Sequence, residues 1–173
     1  MRARRLDRLD AAIIGPDSGG GFSTVTAQNG VEGEVRGWYS AYFDAFVHLA
    51  TGERDDLESL LDFYGVPMTV VSDGGYRVLA TREAVLDFAH DAIDPLLRAG
   101  YAGTELLRLD IRPLDSSAAF LEGLFSRRNR DGKEIDHAGA AYLAVKTGVG
   151  WRVASFVLRT TGPPERAPSE GVR

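Results

Sequence analysis

The chain of 173 residues contains no cysteine. Disulfides, thiolate nucleophiles and cysteine-ligated zinc or iron–sulfur sites are therefore excluded. Histidine is scarce. His48, His90 and His137 are the whole supply of imidazole, far apart in sequence and without a supporting carboxylate motif, so no metal site is expected. No apolar run approaches the roughly 20 residues that a helix needs to cross a bilayer. Glycine-rich phosphate loops and nucleotide motifs are also missing, and no cofactor is expected. The formal net charge of −5 argues against a nucleic-acid partner. Lysine is rare beside arginine, a bias of base composition and not of function.

What remains is an ordinary globular composition, 44% hydrophobic and 26% charged, in a chain long enough for one domain with a core and tails to spare. The basic start is followed by "AAIIG", too short for the apolar stretch of a signal peptide, so a cytoplasmic protein is expected. Residues 1–33 read as a flexible leader, an amphipathic "RRLDRLDAAII" followed by the Gly/Ser-rich "GPDSGGGFS". Residues 162–173 are rich in proline, glycine and charge and read as a disordered tail.

Between these tails the periodicity is clear. "VRGWYSAYFDAFVHLATG" places Val35, Trp38, Tyr42, Phe46 and Leu49 on one helical stripe, with Gly52 at its end. "RDDLESLLDFYG" reads as a shorter helix with Asp55 and Glu58 at capping-box spacing, stopped by Pro67. "MTVVSDGGYRVLA" is a hairpin turning at Asp73-Gly74-Gly75. A third helix, "TREAVLDFAHDAIDPLLRAG", has Thr81 as N-cap, an apolar stripe of Val85, Phe88, Ala92 and Leu96, and Gly100 at its end. Pro95 is expected to kink it or end it early. Four strands follow with short turns. The order α-α-β-β-α-β-β-β-β is an α+β architecture with helices on one face of the sheet.

Three stretches give this order a family likeness: the aromatic "WYSAYFDAF", the run "LLDFYGVPMTVVSDGGYRVLATREAVLDF", and the closing "YLAVKTGVGWRV". Over residues 34–161 the chain resembles the nuclear-transport-factor-2-like superfamily, which includes ketosteroid isomerases, scytalone dehydratase and SnoaL-type polyketide cyclases. The resemblance implies a cone, a curved and mostly antiparallel sheet wrapped around three helices, with a ligand pocket inside. Function does not follow, because a fold of this kind hosts unrelated activities.

Isomerase chemistry of that family needs a carboxylate base in the first hairpin and a tyrosine plus a protonated aspartic acid as oxyanion hole. A gapless alignment with the family pattern sets Ser72 where the base belongs, and Ala141, Tyr142 and Leu143 near the acid. The isomerase set is incomplete. Among other bases, His137 suits acid–base work near neutral pH and falls near the expected pocket mouth. Asp136 and His137 are strand neighbours, so only one of them can look inward. Glu122 is conspicuous between Leu121 and Leu124, with Gly123 allowing close approach of another group. Its alternative is a cross-strand pair with an arginine. His48 and His90 read as helix-end and surface residues, and "SRRNR" as a basic hairpin tip that is solvated, with attraction of an anion as the alternative.

The leading expectation is a cone that binds a small, mostly apolar molecule through Trp38, Tyr42, Phe46, Tyr64, Ser72 and Tyr142, without evident catalysis. The alternatives are a cofactor-independent isomerase, dehydratase or cyclase using His137 or Glu122 as general base, and a dimerisation or partner-binding module without ligand. The closing strands carry apolar residues on both faces, Leu143 and Val145 against Tyr142 and Ala144, then Val153 and Val157 against Phe156 and Leu158. Helices cover one face. The other, together with the family resemblance, implies a homodimer formed sheet to sheet, unless the N-terminal "RRLDRLDAAII" segment folds back over that face and keeps the chain monomeric.

Overall fold

The computed structural model describes the backbone of residues 21–161 and the side chains of residues 30–159. Most of the expected leader and the whole of residues 162–173 lie outside that range. Two α-helices, α1 (Gly21–Ala50) and α2 (Arg82–Arg98), and a short 3-10 helix (Leu57–Asp62) pack against a mixed six-stranded sheet. The strands are β1 (Tyr64–Ser72), β2 (Gly75–Leu79), β3 (Tyr101–Pro113), β4 (Ala118–Asn129), β5 (Glu134–Thr147) and β6 (Gly150–Thr161). Their order across the sheet is β2-β1-β6-β5-β4-β3. All neighbours run antiparallel except β1 and β6, which run parallel. This is the α+β cone that the resemblance implied.

Helix α1 is 30 residues long and begins at Gly21, well before the stripe that opens at Val35. Its first half contains Gly30 and Gly33 among β-branched residues, a composition of weak helix propensity. Contact with the sheet holds the later turns in place. Val35, Tyr39, Tyr42 and Leu49 are buried, so the buried stripe runs through Tyr39 instead of Trp38. At the far end of the sheet Glu34 accepts from Lys146 Nζ at 2.6 Å and from Trp151 Nε1 at 3.3 Å, tying α1 to the β5–β6 turn.

The second helix is a single 3-10 segment without a capping box. Asp56 precedes it and its side chain makes no cap hydrogen bond. Pro67 does not follow a loop: β1 begins at Tyr64, and the Val66–Pro67 peptide bond within it is cis. Helix α2 matches its sequence pattern more closely. The Thr81 hydroxyl accepts from Ala84 N at 3.2 Å, Gly100 follows with φ +67°, and Pro95 is carried inside the last turns. Its buried stripe is Val85, Phe88, Ala89, Ile93 and Leu96.

The face of the sheet that meets the helices is set by strand parity. In β4, Ala119, Leu121, Gly123 and Phe125 look toward the helices and are buried. A register shift in β5–β6 pairs Leu143 with Ser155 but Ala144 with Val153. The irregularity reverses parity along β6. Val153 is thereby fully buried in the core, whereas Val157 stands across from Ala141 on the outer face. The apolar pattern of β6 therefore serves both faces in sequence.

Candidate functional site

The cone encloses a cavity of about 110 Å³ between α1, α2 and the inner faces of β4, β5 and β6. Its walls are aromatic. Tyr42 and Phe46 come from α1, Phe88 from α2, Phe125 from β4, Tyr142 from β5 and Phe156 from β6. These rings interlock: Tyr142 meets Phe156 edge-on at 4.7 Å, Phe88 meets Phe156 edge-on at 5.5 Å, and Phe43 stacks on Phe125 at 5.9 Å. Edge-to-face and offset contacts of this kind are the favoured geometries of quadrupolar rings. The rings fix a shape that a loose aliphatic lining would not.

Gly123 permits a close approach, as its place in β4 suggested, and the approaching group is Phe125 of the same strand. A Cβ at residue 123 would stand 2.5 Å from that ring. The glycine thus lets Phe125 lie back along its own strand and form one wall of the cavity.

Four phenols gather at the closed end. The Tyr42 and Tyr64 hydroxyls are 3.0 Å apart, and the rings of Tyr39 and Tyr42 lie 5.5 and 6.1 Å from that of Tyr142. Burial is the leading cause that pushes all four phenols above their ordinary range, since a phenolate there would lose its hydration. They are neutral at physiological pH and act as hydrogen-bond donors or acceptors, never as ready bases. In the Tyr42–Tyr64 pair one hydroxyl donates to the other, and Tyr142 hydrogen-bonds with Tyr42 and Tyr39 in the same cluster.

The open end is polar. Arg127 lines it from β4, with Thr104 directly across on β3. Asp136, opposite Arg127 on β5, accepts from Nε at 2.6 Å and from Nη2 at 2.9 Å. Thr104 Oγ1 is hydrogen-bonded to the Tyr101 hydroxyl. Among the described residues, Arg127 is the one charged side chain in the lining.

Of the residues the sequence put forward for ligand contact, Tyr42, Phe46, Tyr64 and Tyr142 line the cavity together. Trp38 stacks beside Tyr42, with centroids 6.4 Å apart, outside the lining. Ser72 edges a separate pocket of about 150 Å³ formed by the β1–β2 hairpin with Arg77 and Leu158. The two candidate bases lie on the other side of the sheet. Glu122 is one residue out of phase with Leu121 and Gly123, and accepts from Arg159 Nη1 at 2.6 Å. His137 pairs with Ser126 in the β4–β5 register, and its Nδ1 is 2.9 Å from Glu134 Oε1, whose second oxygen accepts from Ser126 Oγ at 2.8 Å. Of the pair at the head of β5, Asp136 takes the Arg127 side and His137 the opposite one. His90 is exposed on α2, and His48 Nδ1 is 2.6 Å from Glu53. Among the described residues no cluster of three histidine or carboxylate side chains is placed to hold a metal ion, and no helix is long and apolar enough to cross a membrane.

Arg127 belongs to the basic turn for which the sequence favours solvation over an anion. The signal was available in the alternation of β4. Phe125 looks inward, so the side chain two residues later shares its face. The strand runs on to Asn129.

Solved structures share this geometry at low identity, so the likeness is one of fold. A domain of unknown function with a cystatin-like fold from Nostoc punctiforme is 16% identical, with a TM-score of 0.58 over 79% of this chain and 81% of that one. An NTF2-like protein with a cystatin-like fold from Novosphingobium aromaticivorans is 14% identical, with a TM-score of 0.57 over 79% and 86%. A nuclear transport factor 2 superfamily protein from Salmonella enterica is 16% identical, with a TM-score of 0.52 over 86% and 99%. No curated protein matches the chain. The sequence family described as NTF2-like protein (DUF6841) matches residues 32–161, nearly the span that the aromatic helix and the closing strands mark out, and the chain belongs to that family.

Proposed function

We propose that this chain binds a small, mostly apolar molecule in its cone and holds it without a general base of its own. The observation that carries this reading is the aromatic-walled cavity of about 110 Å³, open at one end. An engineered apolar cavity of roughly 150 Å³ accepts benzene, so the fitting occupant is one ring or a short branched chain. Its walls offer dispersion contacts, and the hydrogen-bonded tyrosine hydroxyls at its deep end can exchange a partner with a carbonyl or hydroxyl group of the ligand. Neither a carboxylate nor an imidazole belongs to the lining among the described residues, which weighs against acid–base chemistry through His137 or Glu122.

The test is a thermal-shift series with single-ring compounds on the full chain and on Ala140→Leu, whose added methyl groups would enter the cavity from β5. A ligand at about 100 times its Kd adds roughly 2.7 kcal/mol, or several degrees in Tm for a domain of this size. Stabilisation of the wild type and none of Ala140→Leu is expected. Equal shifts in both would move the binding site elsewhere.

The outer face of the sheet supports an assembly reading. Phe120, Leu124, Leu143 and Val157 stand there half-buried, with no helix over them among the described residues. We read this face as the contact of a symmetric homodimer, an arrangement that leaves the cavity mouths unobstructed.

A further inference from the structure

We propose that the molecule taken by the cone is a small carboxylic acid, with its carboxylate held by Arg127 at the mouth and its ring or branched chain in the aromatic interior. The proposal rests on the ligand-binding reading above and names the class of ligand. Asp136 is a positioning residue that fixes the guanidinium.

A guanidinium is an expensive group to place beside an apolar cavity unless it is paired. Arg127 is less than a quarter exposed, and Asp136 compensates it. The pairing is side-on, through Nε and Nη2. Arginine carries five N–H donors in a rigid fork. Two are spent on Asp136, and the three others, on Nη1 and the outer position of Nη2, have no acceptor among the described residues. They form the edge that matches the two oxygens of a carboxylate. A side chain whose role was only to bridge β4 and β5 would have no need to line the cavity as well.

Asp136 leaves the outer edge of Arg127 open to an anion. A ligand carboxylate on the free edge is in contact with the guanidinium but separated from Asp136 by its full width, and Coulomb attraction and repulsion both fall with distance. Arg77 is a cation outside the lining. The Arg77 guanidinium sits 5.8 Å from the centroid of the Phe88 ring, a wall of the cavity. Arg77 also shares with the cavity the rim residue Leu158, and no carboxylate among the described residues is within 4.0 Å of it. The Thr104 hydroxyl, across from Arg127, adds a hydrogen-bond partner on the same rim. The size of the cavity sets the tail. About 110 Å³ takes one six-membered ring at most, so the head of such a molecule reaches Arg127 while the tail fills the cone.

Benzoate, benzamide and benzyl alcohol share the ring and differ in the head group, and each would be titrated calorimetrically into the full chain at constant ionic strength. Benzoate is expected to bind at least tenfold more tightly than either neutral compound. Arg127→Met should abolish that preference. Arg127→Lys, which keeps the charge but not the fork, should retain part of it. Asp136→Asn should reduce the benzoate preference several-fold with the arginine still present, and Asp136→Glu should restore some of it. A purely structural role for Asp136 would lower all three affinities alike. Equal binding of benzoate and benzamide to the wild type, or unchanged benzoate binding in Arg127→Met, overturns the carboxylate assignment and leaves the ligand-binding reading standing. Failure of all three compounds to bind sinks both. The wild-type comparison decides the matter even where a variant does not fold.

Discussion

Arg127 and Asp136 face each other across β4 and β5, and both oxygens of the carboxylate are clasped by one guanidinium, at 2.6 and 2.9 Å. Hydrogen bonds to charged groups are worth about 1.5–3 kcal/mol, and removing one partner strands the other. Asp136→Ala is therefore expected to cost about 1–2 kcal/mol in urea unfolding, discounted because the carboxylate side chain is 42% exposed. A double-mutant cycle with Arg127→Met should show a coupling of about 1 kcal/mol. Additive losses would mean that the clasp contributes nothing to folding.

Tyr39, Tyr42, Tyr64 and Tyr142 make the fold sensitive to alkali. Their folded-state pKa values are raised by burial, whereas the unfolded chain titrates its phenols near about 10. Above that pH the unfolded state binds fewer protons than the folded state, so stability falls as pH rises. Below pH ~10 the contribution is complete. Beyond it each tyrosine costs about 1.4 kcal/mol per pH unit until its folded pKa is reached. Tyrosinate absorbance near 295 nm from these four phenols should appear together with loss of tertiary circular dichroism. Gradual ionisation of the four in a protein that stays folded would contradict their burial.

Two glycines should respond in opposite directions. A Cβ at Gly65 would stand 2.8 Å from the carbonyl oxygen of Val153 and 3.3 Å from that of Pro67. Both are backbone atoms, and Val153 N donates to Phe63 O at 2.8 Å nearby, so the strand cannot retreat. Gly65→Ala is expected to cost about 2–3 kcal/mol through overpacking. At Gly33, inside α1, nothing lies within 4 Å of the added methyl group. Gly33→Ala should stabilise by about 0.5–1 kcal/mol through lower backbone entropy of the unfolded chain and better helix propensity. Chemical denaturation of the two variants beside the wild type checks both signs.

The outer sheet face gives a prediction about assembly. Leu143→Glu places a charge beside Phe120, its β4 partner, on the face opposite the cavity. Sedimentation at micromolar concentration should show a dimer for the wild type and a monomer for Leu143→Glu, with single-ring ligand binding retained by both. A monomeric wild type would remove the dimer reading.

Local chemistry announced a large part of this molecule. The Thr81 cap, the Gly75 turn and the period-two alternation of the late strands are signals carried by neighbouring residues, and each appears in the fold where its residues stand. So do the inward tyrosines Tyr42, Tyr64 and Tyr142. The first half of α1 was not legible, because glycines and β-branched residues there give no helical stripe.

Tertiary structure decided what local pattern could not. The parallel pairing of β1 with β6 joins residues distant in sequence, and the register shift between Leu143 and Ala144 changes which residues of β6 face the core. Placement of the polar residues depends on the same global choice of face. Alternation states that Asp136 and His137 part company, but only the sheet's contact with the helices determines that Asp136 turns toward Arg127 and the cavity. The basic turn behaved likewise: a charge next to a hairpin resembles any solvated charge until the opposing strand and the helices close over it. Which face of a strand is buried is a property of the whole packed domain, and the cavity mouth is defined there.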